Sequence, residues 1–332
     1  MSRTAVAMAF AEVAPEQNPN VRSRSEAGPS TPYMMCLVVA YSSLRRWNPD
    51  LELQLVTNAP LGGEWQAALD DLDVYTIRTP FDHQPPAGFT KRFSGSLFLL
   101  DALEILQHQS TLYLDPDVVC LGALKPMLAT LSRTCGALPI HYPMFDNING
   151  ITLGDTWRFH EELGEAPGVP VHLGGECYYI PEDSASTVLA RAEYAWRRSL
   201  AASELGRPHF VTEEHLMTYA LRNLPLHSVE PWLKRIWTTP RHRTVDGSEC
   251  GLVLWHLPAE KDRGFTHLYP SARDRESWFW TSPREEFVDR MGRSMGVWRR
   301  PPRRFLRDVA GAGVEFVSSA LVSPRPRPRN VE

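Results

Sequence analysis

Cysteine is scarce in this sequence, and long apolar runs are absent. The five cysteines are scattered without a CxxC pair, which argues against a disulfide framework or a zinc site and indicates reduced core thiols in a cytoplasmic protein. No stretch reaches the roughly 20 apolar residues of a membrane span. A glycine-rich phosphate loop of the P-loop kind and internal repeats are missing as well.

A strong excess of charge is also missing, because the 332 residues carry a net charge of −4. A nucleic-acid surface over the whole domain is therefore not expected. The exception is the segment 290–332, with ten arginines against three acids. Two interpretations of it stay open: an amphipathic element at 304–320 that makes peripheral contact with anionic lipid, or disorder with solvated arginines.

Strand and helix patterns alternate through the first 125 residues. The sequence predicts strands at 5–13, 52–57 and 74–79 and helices at 33–47 and 62–71. A targeting segment is the alternative for the small apolar run at 4–14. Such alternation predicts an α/β fold with a mixed, mostly parallel sheet and helices on both faces.

Further elements complete one domain. We expect helices at 94–108, 124–131, 184–202 and 213–222, and strands at 111–114, 135–140, 176–180 and 252–256. The stretch between 141 and 170 lacks strong periodicity and is predicted to be an irregular functional loop. The predicted domain spans 1–285, and 286–332 is predicted to be an Arg- and Pro-rich, partly disordered extension.

Two acids, Asp115 and Asp117, directly follow the apolar strand at 111–114. Open parallel sheets bind ligands beyond the carboxyl ends of their strands. Carboxylate oxygens suit Mg²⁺ or Mn²⁺, and such an ion can bridge phosphates. A solvated turn explains most chance DxD sequences, but the position after a buried strand favours a metal site.

The strand that ends in Leu-Asp-Pro-Asp, after an N-terminal strand and a basic residue before a helix, resembles the GT-A fold of nucleotide-sugar-dependent glycosyltransferases. Two retaining families are similar: the glycogenin and lipopolysaccharide α-galactosyltransferase group, and the blood-group α-1,3-galactosyltransferase group. The resemblance implies Mn²⁺ or Mg²⁺, a UDP-sugar donor, and a saccharide, lipid-linked or small-molecule acceptor.

A second similarity lies in the sequence from Thr212 to Tyr219, which resembles Asp-Glu-Ser-His-Leu-Asn-x-Tyr of the blood-group family. Alignment on His215 gives Glu213 the place of the residue that faces the anomeric carbon, and a slip of one residue gives that role to Glu214. Thr212 departs from the family, which has an acid there that helps to hold the sugar hydroxyls. The alternative is that both glutamates only favour the helix macrodipole.

The third similarity is the stretch from Leu254 to Lys261, which resembles a degraded His-x-x-Gly-x-x-Lys element of the glycogenin family. The resemblance implies that His256 is a third metal ligand and that Lys261 contacts the diphosphate. A neutral imidazole can complete a site begun by two carboxylates. A structural histidine and a solvated lysine are the alternatives.

Six further residues are weaker candidates for contacts with the donor. Lys91 and Arg92 match a basic residue that contacts donor phosphate or ribose in these families, although either could simply be exposed. Phe10 and Ala11 lie where the resemblance places the uridine ring. Gly174 and Gly175 look like a turn that lets the backbone approach the donor sugar, with a plain turn as the alternative.

These features together predict a metal-dependent, retaining glycosyltransferase that transfers a hexose with α linkage. Asp115, Asp117 and His256 would hold the metal ion. Two alternatives remain: a catalytically weak nucleotide-sugar-binding protein, and a metal-dependent nucleotidyltransferase or phosphohydrolase.

Overall fold

The computed structural model describes residues 4–13, 31–90, 93–168 and 171–298. The strands are β1 (Thr4–Phe10), β2 (Glu52–Thr57), β3 (Val74–Arg78), β4 (Ser110–Leu114), β5 (Val118–Cys120), β6 (Cys135–Ile140), β7 (Asn147–Ile148), β8 (Ile151–Thr152), β9 (His172–Ile180), β10 (Leu226–Ser228), β11 (Leu233–Arg235) and β12 (Leu254–His256). The α-helices are α1 (Thr31–Trp47), α2 (Gly63–Asp70), α3 (Leu99–Ile105), α4 (Lys125–Leu131), α5 (Leu153–Glu162), α6 (Glu182–Glu204), α7 (Glu213–Leu221), α8 (Thr266–Arg273), α9 (Trp278–Thr281) and α10 (Arg284–Ser294).

The main sheet has seven strands in the order β10-β6-β9-β4-β1-β2-β3. Only β9 runs antiparallel to its neighbours, so the predicted mixed and mostly parallel sheet is confirmed. Alternate residues of β1 enter two different core clusters. Val6 and Met8 pack with α1 and α2, whereas Ala7 packs with α3 and α6. The sheet is therefore covered on both faces, as the sequence predicts, and the run at 4–14 contributes a central strand.

A second, smaller sheet has the order β11-β12-β5. Its strand β5 begins one residue after Asp117, pairs antiparallel with β12, and has Val118 opposite His256. Strand β11 runs parallel to β12, with Arg235 opposite His256. The small sheet therefore brings late parts of the chain to the carboxyl end of β4.

The stretch 141–170, predicted to be irregular, contains a hairpin and a helix. Asn149 and Gly150 join β7 to β8, and both have positive φ angles (53° and 119°), as expected of an Asn-Gly hairpin turn. Helix α5 begins after Thr152, whose hydroxyl accepts a hydrogen bond from the Asp155 N–H. The prediction was wrong because buried polar residues such as His160 interrupt the apolar face of α5.

The predicted domain boundary between residues 285 and 286 lies inside α10. Phe287, Val288 and Met291 on this helix are buried in one cluster with Trp255 of β12. The packed domain therefore continues to the end of the described residues. The predicted element at 304–320 lies outside those residues. None of the helices in the described ranges has the length and apolar character that a membrane crossing requires.

The packing of α10 can be tested by truncating a buried side chain. Phe287 is fully buried, so Phe287→Ala should lower the free energy of unfolding by about 3–5 kcal/mol through the cavity that it leaves. Urea denaturation measures this change. The matched control is Phe145→Ala, because Phe145 is 81% exposed and its removal should change stability by less than about 0.5 kcal/mol. Equal stability of the two variants would show that α10 is not part of the packed domain.

Candidate active site

A cavity of about 310 Å³ opens beyond the carboxyl ends of β1 and β4. Phe10 and Ala11, which the sequence predicts, line it together with Tyr33. The other predicted residues that line it are Asp115, Asp117, Glu213, Glu214, His256 and Lys261. The fold therefore gathers most of the predicted site residues, which are separated by up to 251 positions in the sequence.

Backbone hydrogen bonds fix the acidic turn after β4. The N–H of Asp115 donates to the carbonyl of Glu176 (3.2 Å), and the carbonyl of Asp117 accepts from the N–H of Leu257 (3.0 Å). His256 Nε2 lies 3.5 Å from Asp115 Oδ2 and 3.4 Å from Asp117 Oδ2. Lys261 Nζ donates to Asp117 Oδ2. The two sheets therefore hold the acids, the imidazole and the ammonium group in contact.

The charges of these groups shift one another's pKa values. Burial raises the pKa of Asp117, but the charges of Lys261 and His256 outweigh burial and hold it well below its usual range. Burial lowers the pKa of His256, yet Asp117 and Glu176 raise it to about 9. Removal from water and the neighbouring Asp117 raise the pKa of Asp115 to about 7. The cluster is therefore strongly coupled electrostatically.

The donor set fits a divalent cation. One ligand atom from each of Asp115, Asp117 and His256 lies within 4.8 Å of the others, and neighbouring ligands of an octahedral ion at about 2.1 Å are about 3 Å apart. Asp117 Oδ1 is also buried without a hydrogen-bond partner, which is costly unless another group satisfies it. Two carboxylates and one imidazole can bind Mn²⁺ or Mg²⁺.

The two glutamates at the start of α7 have different surroundings. Glu214 Oε1 accepts from the Gly175 N–H (2.9 Å) and from Arg235 Nη2 (2.7 Å). Its Oε2 accepts from Asn149 Nδ2 (2.9 Å) and contacts His172 Nε2 (3.0 Å). By contrast, Oε2 of Glu213 is buried and has no hydrogen-bond partner. Burial and the charge of Glu214 raise the pKa of Glu213 to about 8.

Gly174 and Gly175 are not among the residues that line the cavity, and both lie beside carboxylates. A Cβ on Gly174 would overlap the carboxylate of Glu176, and one on Gly175 would lie 2.6 Å from Glu213 Oε1. The pairing between β6 and β9 also shifts here and leaves residues 175–177 without partners on β6. This bulge turns the chain locally, and the glycines make room for carboxylates.

Sequence reasoning missed Arg235, Glu176 and Tyr33. Arg235 and Tyr33 line the cavity, and Glu176 forms a buried ion pair with Arg235. A buried acid in an otherwise apolar strand was an available signal for Glu176, whereas Arg235 stands in a strand of three residues without a pattern. Lys91 and Arg92 lie outside the described residues.

No protein-family model and no curated protein matches the chain. Solved structures do match it. WbbM, a bifunctional glycosyltransferase, aligns with a TM-score of 0.53 and 11% identity over 87% of this chain and 52% of its own. The galactosyltransferase LgtC in complex with donor and acceptor sugar analogues aligns with a TM-score of 0.49 and 13% identity over 92% of this chain and 99% of its own. Mouse xyloside xylosyltransferase 1 aligns with a TM-score of 0.47 and 13% identity over 76% of this chain and 97% of its own.

The fold is accordingly that of the GT-A glycosyltransferases, with a mixed sheet of seven strands. This confirms the fold class that the sequence predicts. The chain spans about half of the WbbM chain that it matches.

A metal titration tests the candidate metal centre. Wild-type protein should bind Mn²⁺, and Asp117→Asn should weaken this binding by at least about 100-fold because a charged ligand is lost. Electron paramagnetic resonance of free Mn²⁺ measures the affinity without a donor. Asp50→Asn, in an exposed turn after α1, is the matched control and should bind like wild type. Equal affinities of the Asp117 and Asp50 variants would rule out this centre.

Proposed function

We propose that this chain is a metal-dependent, retaining glycosyltransferase that transfers a hexose from a UDP-sugar to an acceptor hydroxyl with α linkage. One observation carries the proposal. The candidate metal ligands Asp115, Asp117 and His256 share a cavity with Glu213, one of whose oxygens is buried and without a partner. The GT-A fold supports the reaction class, and the resemblance of the sequence supports the donor and the stereochemistry.

The donor would lie across the ends of β1 and β4. Phe10 and Tyr33, whose ring centroids are 6.1 Å apart, would contact the base, with Ala11 beside them. Asp115, Asp117 and His256 would hold Mn²⁺ or Mg²⁺, which when bound supplies Lewis-acid stabilisation of the leaving diphosphate. Lys261 would add its positive charge to the same phosphates.

In the transfer, the acceptor oxygen forms a bond to the anomeric carbon as the bond from that carbon to the β-phosphate oxygen breaks. The electron pair of the broken bond stays on UDP, and the acceptor proton passes to a phosphate oxygen of the leaving group. Positive charge develops on the anomeric carbon, where Glu213 would stabilise it. This stabilisation is strong in a cavity because water screens it little.

The acceptor would bind against Tyr142, Asn147 and Trp237, which also line the cavity. Amide and aromatic side chains can bind the hydroxyls and faces of a saccharide, and a lipid-linked glycan or a small molecule would present the same hydroxyl. The proposed cellular location of this protein is the cytoplasm, and the basic segment after residue 298 would make peripheral contact with a membrane.

A catalytically weak nucleotide-sugar-binding protein is the second candidate. Thr212, which stands where the families have an acid, is buried, and its hydroxyl contacts His215 Nδ1 at 2.9 Å. This side chain therefore brings no negative charge to the sugar. The observation favours weaker binding of the sugar hydroxyls than in the families that the sequence resembles.

UDP release from UDP-glucose, UDP-galactose and UDP-N-acetylglucosamine with Mn²⁺ tests the reaction. We expect release that requires Mn²⁺ and rises with an added saccharide acceptor, and an α-glycoside identified from the proton coupling at its anomeric carbon. A β linkage would contradict the retaining mechanism. Nucleotide binding without release would favour the second candidate.

The role of Glu213 is tested by paired variants. Glu213→Gln should lower kcat by about 10²–10³-fold, because the lost interaction belongs to the transition state. The affinity for UDP should stay as in wild type, as measured by calorimetry. Glu214→Gln is the matched comparison, and it should lower the melting temperature because it weakens the ion pair with Arg235. Loss of turnover in the Glu214 variant alone would show that the alignment is one residue out.

A further inference from the structure

Arg235 lies at the end of β11 between two carboxylates from different parts of the fold. Its Nε donates to Glu176 Oε1 (2.9 Å) and its Nη2 donates to Glu176 Oε2. Nη2 also donates to Glu214 Oε1 (2.7 Å). Glu176 is fully buried, and the side chain of Arg235 is 17% exposed. The planar guanidinium is suited to this bidentate contact, which a lysine cannot reproduce.

The two acids depend on this cation. A buried carboxylate that loses its partner is strongly destabilised. Arg235 also lies beside His256 in the small sheet, and Glu176 Oε1 is 3.6 Å from His256 Nδ1. Arg235 therefore connects the surroundings of the candidate metal ligand to the first turn of α7.

The contacts that anchor Glu214 distinguish it from Glu213, which keeps the capacity to interact with a ligand. Both oxygens of Glu214 contact donors from β9, β11 and the β7–β8 turn, so its capacity to accept hydrogen bonds is largely used. Glu213 precedes it in the first turn of α7, and its Oε2 has none of these partners. Without Arg235, Glu214 would lose its ion-pair partner on Oε1 and could turn toward another positive charge in the cavity.

We propose that Arg235 is a positioning residue that anchors Glu214 and Glu176 and thereby leaves Glu213 as the carboxylate directed at the sugar. The inference rests on the proposed function, because it assigns Glu213 to the reacting centre. The glycines of β9 agree with it. A Cβ on Gly174 would lie 2.7 Å from Arg235 Nη2, so this strand has room for the ion pair only without a side chain there.

Two other roles for Arg235 predict different turnover in variants of Arg235 and Glu214. A guanidinium that bound the substrate directly would be needed whether or not Glu214 is charged. A purely structural ion pair would affect stability but not turnover of the folded protein. A positioning role instead predicts that the need for Arg235 largely disappears when the charge of Glu214 is removed.

The experiment compares wild type, Arg235→Gln, Glu214→Gln and the double variant. With the best UDP-sugar of the panel, R235Q should lower kcat by about 100-fold, while its affinity for UDP with Mn²⁺ changes less than about threefold. The double variant should have a kcat within about threefold of E214Q alone, because coupled residues are not additive. Circular dichroism and melting temperature establish folding, and R235K replaces R235Q if that variant does not fold.

Lys234→Gln is the matched control. Lys234 precedes Arg235 on β11 and pairs with Glu249 and Asp246 outside the cavity, so its kcat should equal that of wild type. The positioning role is overturned if R235Q keeps the kcat of K234Q. It is equally overturned if the losses in the double variant multiply, because Arg235 would then act on the substrate itself.

A labelling measurement does not depend on turnover. Carbodiimide with glycinamide, followed by mass spectrometry, should modify Glu214 at least about tenfold more in R235Q than in wild type. Equal labelling would overturn the anchoring. Wild-type protein that turns over no UDP-sugar but shows this contrast would overturn the proposed function and leave the anchoring of Glu214 intact.

Discussion

The repulsion among carboxylates around one cavity is the interaction on which the site depends. Five acids and three basic side chains of the described residues meet there: Asp115, Asp117, Glu176, Glu213 and Glu214, with Arg235, His256 and Lys261. Carboxylates removed from water stay ionised only beside positive charge. The position of each cation therefore determines which acid is charged and which remains free to interact.

The topology supplies these cations from one part of the chain. Arg235 and His256 belong to the small sheet and Lys261 follows it, whereas the acids come from the turn after β4, from β9 and from α7. A main sheet without the second sheet would present bare acids at the end of β4. Helix α10 packs against Trp255 of β12. This contact supports the strand that carries His256.

The sequence predicts what depends on local pattern. The run before Asp115 and Asp117 marks a buried strand end, and the apolar strand before His256 marks another, so the three candidate ligands could be found. Arg235 could not, because its role comes from a register between strands that are distant in sequence. From the sequence, Gly174 and Gly175 suggest a close approach of the backbone to a ligand. The sequence does not show that carboxylates occupy the space beside both glycines. The similarity to two families leaves Glu213 and Glu214 undecided, and the structure gives them different hydrogen-bond partners.

The same reasoning explains why neighbouring acids can differ so much. Burial opposes ionisation of Glu213 and Glu214 alike, but Arg235, His172 and the Gly175 N–H hold the pKa of Glu214 well below its usual range, whereas that of Glu213 rises to about 8. Asp117 and Asp115 repeat this division, with Lys261 and His256 favouring the charge of Asp117. In each pair, one acid is held by the fold and the other retains capacity for a further positive charge. A divalent cation near Asp115 and a developing charge near Glu213 are the two that a glycosyl transfer would bring.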